Sequence, residues 1–344
     1  MLKVLIIGCG NIAGGFDAAS STRPVARTHA AAYTAHGQFS ISACVEPDAD
    51  KRAAFMTRWA VPDGYDSLDH LMATHDTASK SDRFDVVSIC SPTSAHHADV
   101  LRALHLKPKL IFCEKPVCAD VAQTQSVVQR CFDQGVLFAV NHNRRWDPEV
   151  TRLRDQLQSG QWGAIRSVTG QYNKGVLNNG SHMIDLLHDL LGPLTLIGCG
   201  TPLFDYSESD PSVPASLVSA AGVPIALTCG DASDYSLFEL QVVTQRGVIA
   251  MEDGGLRWRT RFSAPSRQFA GYRSLDAGQI NEGGYLQTMT NAVANIYSSN
   301  QRRSPRKYRR KCAQRAAYLS ADTASIFLIV PNHRCSGYYL KTAS

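Results

Sequence analysis

The sequence contains no pair of cysteines at C-x-x-C spacing, although ten cysteines occur among its 344 residues. Cys9, Cys44, Cys90 and Cys113 fall in or beside predicted strands. Closely paired cysteines are typical of zinc and redox sites, and disulfide frameworks are typical of secreted domains. We therefore interpret the cysteines as reduced core thiols, expect no metal site, and predict a cytoplasmic protein.

Long apolar runs are missing as well. No stretch approaches the roughly 20 residues that a membrane-spanning helix needs. The first apolar run, at residues 4–7, is too short for the core of a secretory signal and lacks a small-residue cleavage site. We expect neither a membrane partner nor a leader. A composition of 44% hydrophobic and 19% charged residues favours a globular protein of two domains.

One segment carries no acidic residue. Residues 301–315 contain eight lysines and arginines. The rest of the chain has 27 basic and 30 acidic residues, so its formal charge is about −3, compared with +5 for the whole chain. The rest of the chain lacks the interleaved aromatic and basic residues of single-strand binders. We interpret the segment as a solvated tail, with a nucleic-acid arm as the weaker alternative, and expect no nucleic-acid partner.

Strand-like and helix-like patterns alternate through the first part of the chain. Continuous apolar runs predict strands at residues 3–7, 40–45, 85–90, 110–113 and 136–140. Helical patterns separate them, at residues 26–36, 48–59, 68–75, 95–105 and 121–134. Apolar strands that alternate with helices indicate a parallel sheet covered on both faces. We predict an α/β fold with a doubly wound Rossmann sheet.

The pattern changes beyond residue 148. Helices are predicted at residues 149–159 and 181–191. Segments rich in β-formers follow short turns, at residues 165–171, 217–219, 223–229, 237–245, 248–251 and 256–262. Short turns favour antiparallel pairing, which predicts an α+β domain with a mostly antiparallel sheet. We assign residues 1–120 to the Rossmann domain, 121–300 to a substrate-binding and oligomerisation domain, and 301–344 to a basic, atypical terminal segment.

A glycine-rich turn follows the first predicted strand. Gly8, Gly10 and Ala13 have the G-x-G-x-x-G/A spacing. In this pattern the first glycine allows a tight turn, the second lets a pyrophosphate approach the backbone, and the small third residue lets the helix pack on the strand. The spacing alone also describes an ordinary glycine turn. Its position after the first strand makes Gly8, Gly10, Asn11 and Ile12 candidate cofactor-binding residues.

Glu46 ends the second predicted strand, where a carboxylate can accept hydrogen bonds from the adenosine ribose. A carboxylate there repels a 2′-phosphate, which favours NAD, although Lys51 and Arg52 weaken the preference and leave NADP possible. Glu46 lies farther along the chain than the usual spacing of about 20 residues. The extra length, residues 14–28, predicts a loop over the cofactor.

A polar turn, Ser91-Pro92, closes the third long strand at the edge where α/β sheets bind ligands. His96 and His97 follow on the next helix. We interpret His97 as a helix-surface residue, whereas for His96 a site role and a surface role are equally open. Ser91, Pro92 and His96 are further candidate cofactor contacts.

Glu114-Lys115-Pro116 is the most informative motif, because it follows the apolar strand at residues 110–113. A lysine at the carboxyl end of a buried strand lies where such sheets place their ligands. Its cation can hold a substrate hydroxyl and stabilise alkoxide charge, or shuttle a proton if burial lowers its pKa. The alternative is a solvated surface lysine.

Five motifs occur in the order and approximate spacing of the Gfo/Idh/MocA oxidoreductases, which this sequence resembles over roughly residues 1–300. They are Gly8-x-Gly10-Asn11-Ile12-Ala13, Pro92-x-x-x-His96, Glu114-Lys115-Pro116, Arg145-Trp146-Asp147-Pro148 and Gly180-Ser181-His182-Met183-Ile184-Asp185. The resemblance implies a Rossmann domain followed by a mostly antiparallel sheet whose face lines the active site. It also implies a homo-oligomer through that sheet.

The resemblance further implies that Lys115 lies beside the nicotinamide and the substrate, and that His182 is the family's site histidine. A histidine suits removal of a hydroxyl proton because its unperturbed pKa is near neutrality. Glu114 is expected to orient Lys115 or contact the cofactor, and the bond before Pro116 is often cis in this motif. Arg145 is expected to bind substrate. Asp185 shares a helix face with His182 and is equally interpretable as a substrate-site residue or a structural one.

Two departures from the family pattern stand out. Asn178 replaces the aspartate of a D-x-x-x-H pattern, and an asparagine can position a hydroxyl but cannot accept its proton. We therefore expect Lys115 and His182 to share the acid–base work, with Asn178 as a third catalytic residue. The second departure is the terminus at residues 301–344, which replaces an amphipathic helix. We hypothesise that it is divergent or read in another frame, which the coding DNA would test.

These motifs predict hydride transfer between a nicotinamide and a hydroxyl or keto carbon. Sugars, cyclitols and nucleotide-linked sugars are the usual ligands of the family that the sequence resembles. Two alternatives stay open. One is a redox-neutral, NAD-dependent glycoside hydrolase of the same family, and the other is a non-catalytic dinucleotide sensor. Only the dehydrogenase changes the bulk nicotinamide absorbance with turnover.

Overall fold

The computed structural model describes residues 1–18, 25–74, 83–118, 120–301, 328–330 and 339–341. The chain divides into two compact units. The first contains Met1–Asn143 and the segment that begins at Leu286, and the second contains Arg144–Tyr285. The predicted basic segment 301–344 lies outside the described residues, apart from Gln301 and two short strands, and so does the middle of the predicted cofactor loop at residues 14–28.

The first unit is built on a six-stranded parallel sheet. Its strands are β1 (Leu2–Ile7), β2 (Phe39–Val45), β3 (Asp63–Tyr65), β4 (Val86–Ile89), β5 (Leu110–Cys113) and β6 (Leu137–Val140). They lie in the order β3-β2-β1-β4-β5-β6. This order places the carboxyl ends of β1 and β4 side by side at the point where the strand order reverses, which is where doubly wound sheets bind dinucleotides. The predicted Rossmann fold is confirmed.

Seven helices belong to this unit among its described residues. They are α1 (Phe16–Ala18), α2 (His29–His36), α3 (Ala49–Trp59), α4 (Leu68–Thr74), α5 (Thr93–His105), α6 (Val121–Asp133) and α9 (Thr288–Gln301). α2 begins later than predicted because the Thr28 hydroxyl accepts a hydrogen bond from Ala31 N, which caps the helix at this point. The predicted core position of Cys9, Cys44, Cys90 and Cys113 is confirmed, since all four are buried.

The sheet extends past the boundary that we predicted at residue 120. β6 pairs in parallel register with β5, from Leu110 opposite Leu137 to Cys113 opposite Val140. α9 also belongs to this unit, where the ring of Tyr297 lies 5.0 Å from that of His36. Residues 121–143 and α9 therefore complete the Rossmann unit rather than the second one.

Residues 144–285 of the second unit contain a nine-stranded sheet, a two-stranded hairpin and two α-helices. The sheet strands are β7 (Ile165–Tyr172), β8 (Leu194–Cys199), β11 (Ala215–Ser219), β12 (Pro224–Cys229), β13 (Phe238–Thr244), β14 (Gly247–Glu252), β15 (Arg257–Pro265), β16 (Arg273–Leu275) and β17 (Gln279–Glu282). The hairpin is β9 (Leu203–Ser207) with β10 (Asp210–Ser212), and the helices are α7 (Pro148–Gln158) and α8 (Ser181–Leu191). Only β7 and β12 pair in parallel within the sheet, so the predicted antiparallel character is confirmed.

α8 lies against this sheet as an almost fully buried helix. Its residue Met183 packs so closely on β7 that a methyl group at Gly170 would lie 2.8 Å from the methionine sulfur. Leu186 and Leu187 are 1% and 0% exposed. This packing fixes the first turn of α8, which carries His182.

Two further strands, β18 (Leu328–Val330) and β19 (Tyr339–Lys341), form an antiparallel pair. Within the described ranges, no helix is long and apolar enough to cross a membrane.

Candidate active site

The turn after β1 has the geometry of a phosphate-binding turn. Gly8 has a φ of +85°, and a methyl group on it would lie 2.5 Å from Ser91 N, so only glycine fits between the ends of β1 and β4. Gly10 is exposed, and a methyl group there would meet nothing within 4 Å. Asn11 and Ile12 open the helical turn that follows. The open backbone above Gly10 fits the pyrophosphate of a dinucleotide.

Glu46 lies beside this turn. One of its carboxylate oxygens accepts a hydrogen bond from Cys9 N at 2.9 Å, and the other accepts from Asp48 N at 3.2 Å. Each oxygen keeps a lone pair for a further donor. The predicted ribose-binding carboxylate is thus held at the glycine turn by backbone contacts.

The turn after β4 is held by two side-chain contacts. The Ser91 hydroxyl donates to Asp99 at 2.6 Å, and burial raises the pKa of Asp99 although this hydrogen bond opposes the shift. The ring of His96 is 1% exposed, with Nε2 2.8 Å from Ser91 O and Nδ1 2.9 Å from Pro116 O. His96 therefore connects two turns from the interior, and the structure does not place it as a cofactor contact. Pro92 directly precedes α5.

Glu114, Lys115 and Pro116 follow β5 as predicted, and the Lys115–Pro116 bond is cis. Glu114 is buried, and its Oε1 accepts hydrogen bonds from His29 at 2.9 Å and Asn141 at 2.6 Å. Its Oε2 accepts from Lys115 N at 3.3 Å. Burial alone would raise the pKa of Glu114, but these hydrogen bonds and the charge of Lys115 outweigh it and lower the pKa. Glu114 thus supports the half-buried Lys115 from the interior.

His29 is a residue of this cluster that the sequence analysis missed. It is fully buried at the start of α2, and its Nδ1 lies 3.3 Å from the Ser88 hydroxyl. That hydroxyl lies 2.8 Å from the hydroxyl of Tyr33. His29 therefore links the Glu114 carboxylate to β4 and α2. The signal in the sequence was weak, since a histidine after a capping threonine looks like any first-turn residue.

The second unit contains a cavity of about 480 Å³. It is lined by Arg144, Lys174, Asn178, Asn179, His182, Tyr206, Ser236, Phe238, Gly254 and Tyr285. The predicted residues Asn178 and His182 are thus brought together. The predicted substrate contacts Arg145 and Asp185 do not line it.

The segment that carries Asn178 is shaped by Asp210. Its carboxylate accepts hydrogen bonds from Leu177 N at 2.8 Å and from Asn178 N at 3.0 Å. It also lies against Gly175, whose φ of +81° and crowded α-carbon leave no room for a side chain. Asp210 therefore fixes the turn at Gly175–Gly180 and, through it, the start of α8. The sequence analysis missed Asp210 because it comes from a distant hairpin.

Arg145 and Asp185 are partners of each other. The guanidinium donates from Nε and Nη2 to Asp185, at 2.8 and 2.7 Å, and from Nη1 to Asp189 at 3.0 Å. Burial alone would lower the pKa of Arg145, but the two carboxylates raise it. The structure thus replaces the predicted substrate-binding role of Arg145 and Asp185 with a buried ion pair between a turn and α8.

The neighbouring Arg144 reaches the cavity instead. Its Cζ lies 3.5 Å from the ring centroid of Phe238 and 4.9 Å from that of Tyr285, and its Nη2 donates to Gly254 O at 3.2 Å. Burial lowers the pKa of Arg144, and the charges of Tyr285 and Asp147 oppose this. Arg144, and not the predicted Arg145, lines the cavity, because the turn at Asn143–Trp146 sets which arginine faces which side.

Comparison with known proteins adds to this geometry. A family model described as "Oxidoreductase family, NAD-binding Rossmann fold" (GFO_IDH_MocA) matches residues 2–142. The chain is thus similar to the Gfo/Idh/MocA oxidoreductases over residues 2–142, which are less than half of its length. The predicted family resemblance is therefore confirmed, and the matched residues coincide with the Rossmann sheet.

Relatives extend the likeness beyond that sheet. The inositol 2-dehydrogenase of Rhizobium meliloti (strain 1021) is 27% identical over 182 residues, which cover 51% of each chain. The chain thus spans about half the length of this relative. The D-glucoside 3-dehydrogenase of Escherichia coli (strain K12) is 23% identical over 280 residues, which cover 78% of this chain and 72% of that protein.

A solved structure matches the fold over nearly the whole chain. A 3-ketoreductase from Actinomadura kijaniata, in complex with NADP, has a TM-score of 0.69 at 18% identity, covering 94% of this chain and 96% of that one. The two proteins share the folds of both units, the parallel Rossmann sheet and the mostly antiparallel sheet.

Proposed function

We propose that this protein is a nicotinamide-dependent oxidoreductase that transfers a hydride between the cofactor and a hydroxyl-bearing carbon of a polyhydroxylated substrate. The observation that carries the proposal is the half-buried Lys115, supported by the buried Glu114 at the carboxyl edge of a Rossmann sheet. This edge is the ligand-binding edge of such sheets. The names of the inositol and glucoside dehydrogenases support a sugar or cyclitol substrate.

The residues of the glycine turn suit NAD. Gly8 and Gly10 would hold the pyrophosphate with Asn11 and Ile12, and Glu46 would accept hydrogen bonds from the adenosine ribose. When bound, NAD supplies the hydride acceptor. The carboxylate charge of Glu46 disfavours the additional phosphate of NADP.

Lys115 and His182 are the proposed acid–base groups. Oxidation of a carbinol releases a hydride from carbon and a proton from oxygen, and a lysine or histidine can hold the hydroxyl and remove that proton. Asn178 lines the same cavity as His182 and can orient a hydroxyl through its amide. It cannot take the proton, so the proton falls to Lys115 and His182.

Lys115→Met tests the proposal directly. The variant keeps an unbranched side chain of similar length but lacks the ammonium, so we expect turnover to fall by about 10³-fold or more because both charge stabilisation and proton transfer are lost. Nicotinamide absorbance during turnover on a panel of sugars and cyclitols measures the loss. Cofactor affinity, measured by nicotinamide fluorescence, should stay near that of the unaltered protein.

Retained turnover in Lys115→Met would remove the lysine from the mechanism. Glycoside cleavage without a change in absorbance would instead favour the redox-neutral hydrolase. Cofactor binding with no conversion of any substrate in the panel would favour a dinucleotide sensor, which the asparagine at position 178 makes a specific alternative.

A further inference from the structure

Arg144 is a buried cation on which the charge of the nearby Asp147 acts without a direct contact between the two side chains. Its residue is 7% exposed, and its guanidinium forms no ion pair with a carboxylate in the part of the chain that the structure describes. Its buried Nε has no hydrogen-bond partner there either. A guanidinium has five donors, of which the structure satisfies one, at Gly254 O. Burying such a charge is costly unless an anion or acceptors compensate it.

The aromatic contacts of Arg144 leave its donors available. Phe238 lies directly over the guanidinium, 3.5 Å from Cζ, and Tyr285 lies 4.9 Å away. Aromatic rings stabilise a guanidinium through its face, whereas its N–H donors lie in its plane. In-plane donors match the two oxygens of a carboxylate or phosphate. The aromatic contacts therefore hold the guanidinium of Arg144 in an orientation in which its N–H donors can bind an oxyanion.

The lining of the cavity has an excess of positive charge. Lys174 and Arg144 both line it, His182 adds a titratable ring, and none of the lining side chains is an aspartate or glutamate. Lys174 adopts a left-handed backbone conformation, with φ +67° and ψ 42°, which is uncommon for a residue other than glycine, asparagine or aspartate. Such conformations gather at ligand sites.

Three carboxylates close to the residues of the cavity each accept a hydrogen bond from a backbone donor, and Asp147 and Asp205 each keep one buried oxygen without a hydrogen-bond partner among the described residues. Asp205 accepts from Lys174 N at 2.7 Å, and Asp210 accepts from Asn178 N at 3.0 Å. Asp147 accepts from Glu149 N at 2.9 Å, where it caps α7. These carboxylates reduce the positive electrostatic potential of the cavity, but they do not form an ion pair with Arg144. A ligand anion would complete its pairing.

We infer that the cavity binds an oxyanion carried by the substrate, so that the substrate is an acidic sugar such as a uronate or aldonate, or a sugar phosphate. The inference rests on the proposed oxidoreductase function and narrows its substrate class. Arg144 pairs with two oxygens of the anion, Lys174 adds a second positive charge, and the amides of Asn178 and Asn179, which line the same cavity, contact hydroxyls. Neutral sugars and cyclitols lack the group that Arg144 and Lys174 recognise.

Three matched probes test the inference: glucose, glucuronate and glucose 6-phosphate. Binding to the full-length protein is measured by calorimetry with and without NAD, and turnover is measured by absorbance. We expect at least one acidic probe to bind about 100-fold more tightly than glucose, because a buried charged pair is formed only with the anion. The two acidic probes separate a carboxylate from a phosphate.

Lys174→Gln should lower the affinity for the acidic probe about tenfold more than it lowers the affinity for glucose. Lys107→Gln is the matched control, since Lys107 is an exposed lysine that also has a positive φ, of 51°. This control should leave the ratio of the affinities for the acidic probe and for glucose unchanged. Arg144→Lys keeps the charge but loses the fork of donors, and should reduce the preference for the acidic probe by about tenfold. Circular dichroism checks that each variant is folded.

Equal affinities for glucose and both acidic probes would overturn the inference, as would an acidic preference that Lys174→Gln leaves intact. Turnover of glucose with no acidic preference would overturn it while leaving the proposed oxidoreductase function standing. Tight binding of an acidic probe that depends on Lys174, without any turnover, would support the anion site and count against the oxidoreductase function.

Discussion

The carboxylate of Glu114 illustrates how one buried charge can organise a site. Its hydrogen bonds from His29 and Asn141 lower its pKa below the ordinary value of 4.5, against the effect of burial. A carboxyl group whose pKa is lowered by folding stabilises the folded state above the unfolded pKa, and this contribution is lost as the pH falls through the folded pKa. Glu114 therefore contributes to stability at neutral pH and ceases to do so in acid.

Glu114→Gln tests this contribution. The variant keeps the size of the side chain but offers a weaker acceptor to His29 and Asn141, so we expect its free energy of unfolding at neutral pH to fall by about 1–3 kcal/mol. The deficit should shrink at a pH below the folded pKa of Glu114. Urea unfolding at neutral and acidic pH measures both values, with the exposed Glu208→Gln as control. A deficit that does not change with pH would contradict the charge argument.

Glu46 gives a second prediction at the scale of a residue. Glu46→Ser removes the negative charge beside the glycine turn, so the affinity for NADP relative to NAD should rise by about tenfold or more. Fluorescence titration with NADH and NADPH measures the ratio. Asp50→Ser removes an exposed carboxylate from the first turn of α3 and should leave the ratio nearly unchanged. Equal shifts in both variants would show a general charge effect instead.

The positions of residues were predictable where the backbone alone decides them. Gly8 and Lys115 lie at strand ends, and the strand pattern fixed both. Arg144 and Arg145 are adjacent in sequence and lie in the same short turn. Arg145 points to the carboxylates of α8 and forms a buried ion pair, whereas Arg144 points to the cavity. The sequence alone does not show which of the two arginines points in which direction. His29 was missed for a similar reason, since its partner Glu114 is 85 positions away.

At the scale of elements, burial decided what the sequence could reveal. β1, β4 and β5 are buried central strands whose continuous apolar runs predicted them closely. The bounds of α8 matched the prediction, because its apolar face is long and Gly192 ends it. β3 is a three-residue, partly exposed edge strand whose residues carry no strand pattern of their own, and pairing with β2 alone defines it.

The ion pair of Arg145 with Asp185 joins a turn to α8, and we predict that it stabilises the attachment of this helix. Asp185→Asn leaves a buried guanidinium with one carboxylate fewer, so we expect the free energy of unfolding to fall by about 3–5 kcal/mol. Chemical denaturation, followed by tryptophan fluorescence, measures it. Glu149→Gln breaks the more exposed pair with Arg152 and should cost at most about 1 kcal/mol. Equal losses in the two variants would contradict the role of burial.

At the scale of the whole molecule, we predict a homo-oligomer formed through the sheet of the second unit. Phe262 on β15 and Ile280 on β17 are 45% and 53% exposed, and they lie on opposite faces of the sheet because Ile280 pairs with Arg259. Phe269 and Tyr272, between β15 and β16, are 63% and 71% exposed. Monomeric proteins seldom leave so many large apolar side chains in water on neighbouring strands.

Sedimentation equilibrium should therefore give a mass of at least twice that of one chain. Ile280→Glu places a charge on the proposed interface, and we expect it to raise the dissociation constant by about 100-fold or more, since burying an unpaired charge is costly. Phe132→Glu is the control, because Phe132 is similarly exposed, at 56%, but lies on α6 of the first unit. Dissociation by Phe132→Glu but not by Ile280→Glu would move the interface to the Rossmann unit, and a monomer at all concentrations would leave the exposed sheet without a partner of its own kind.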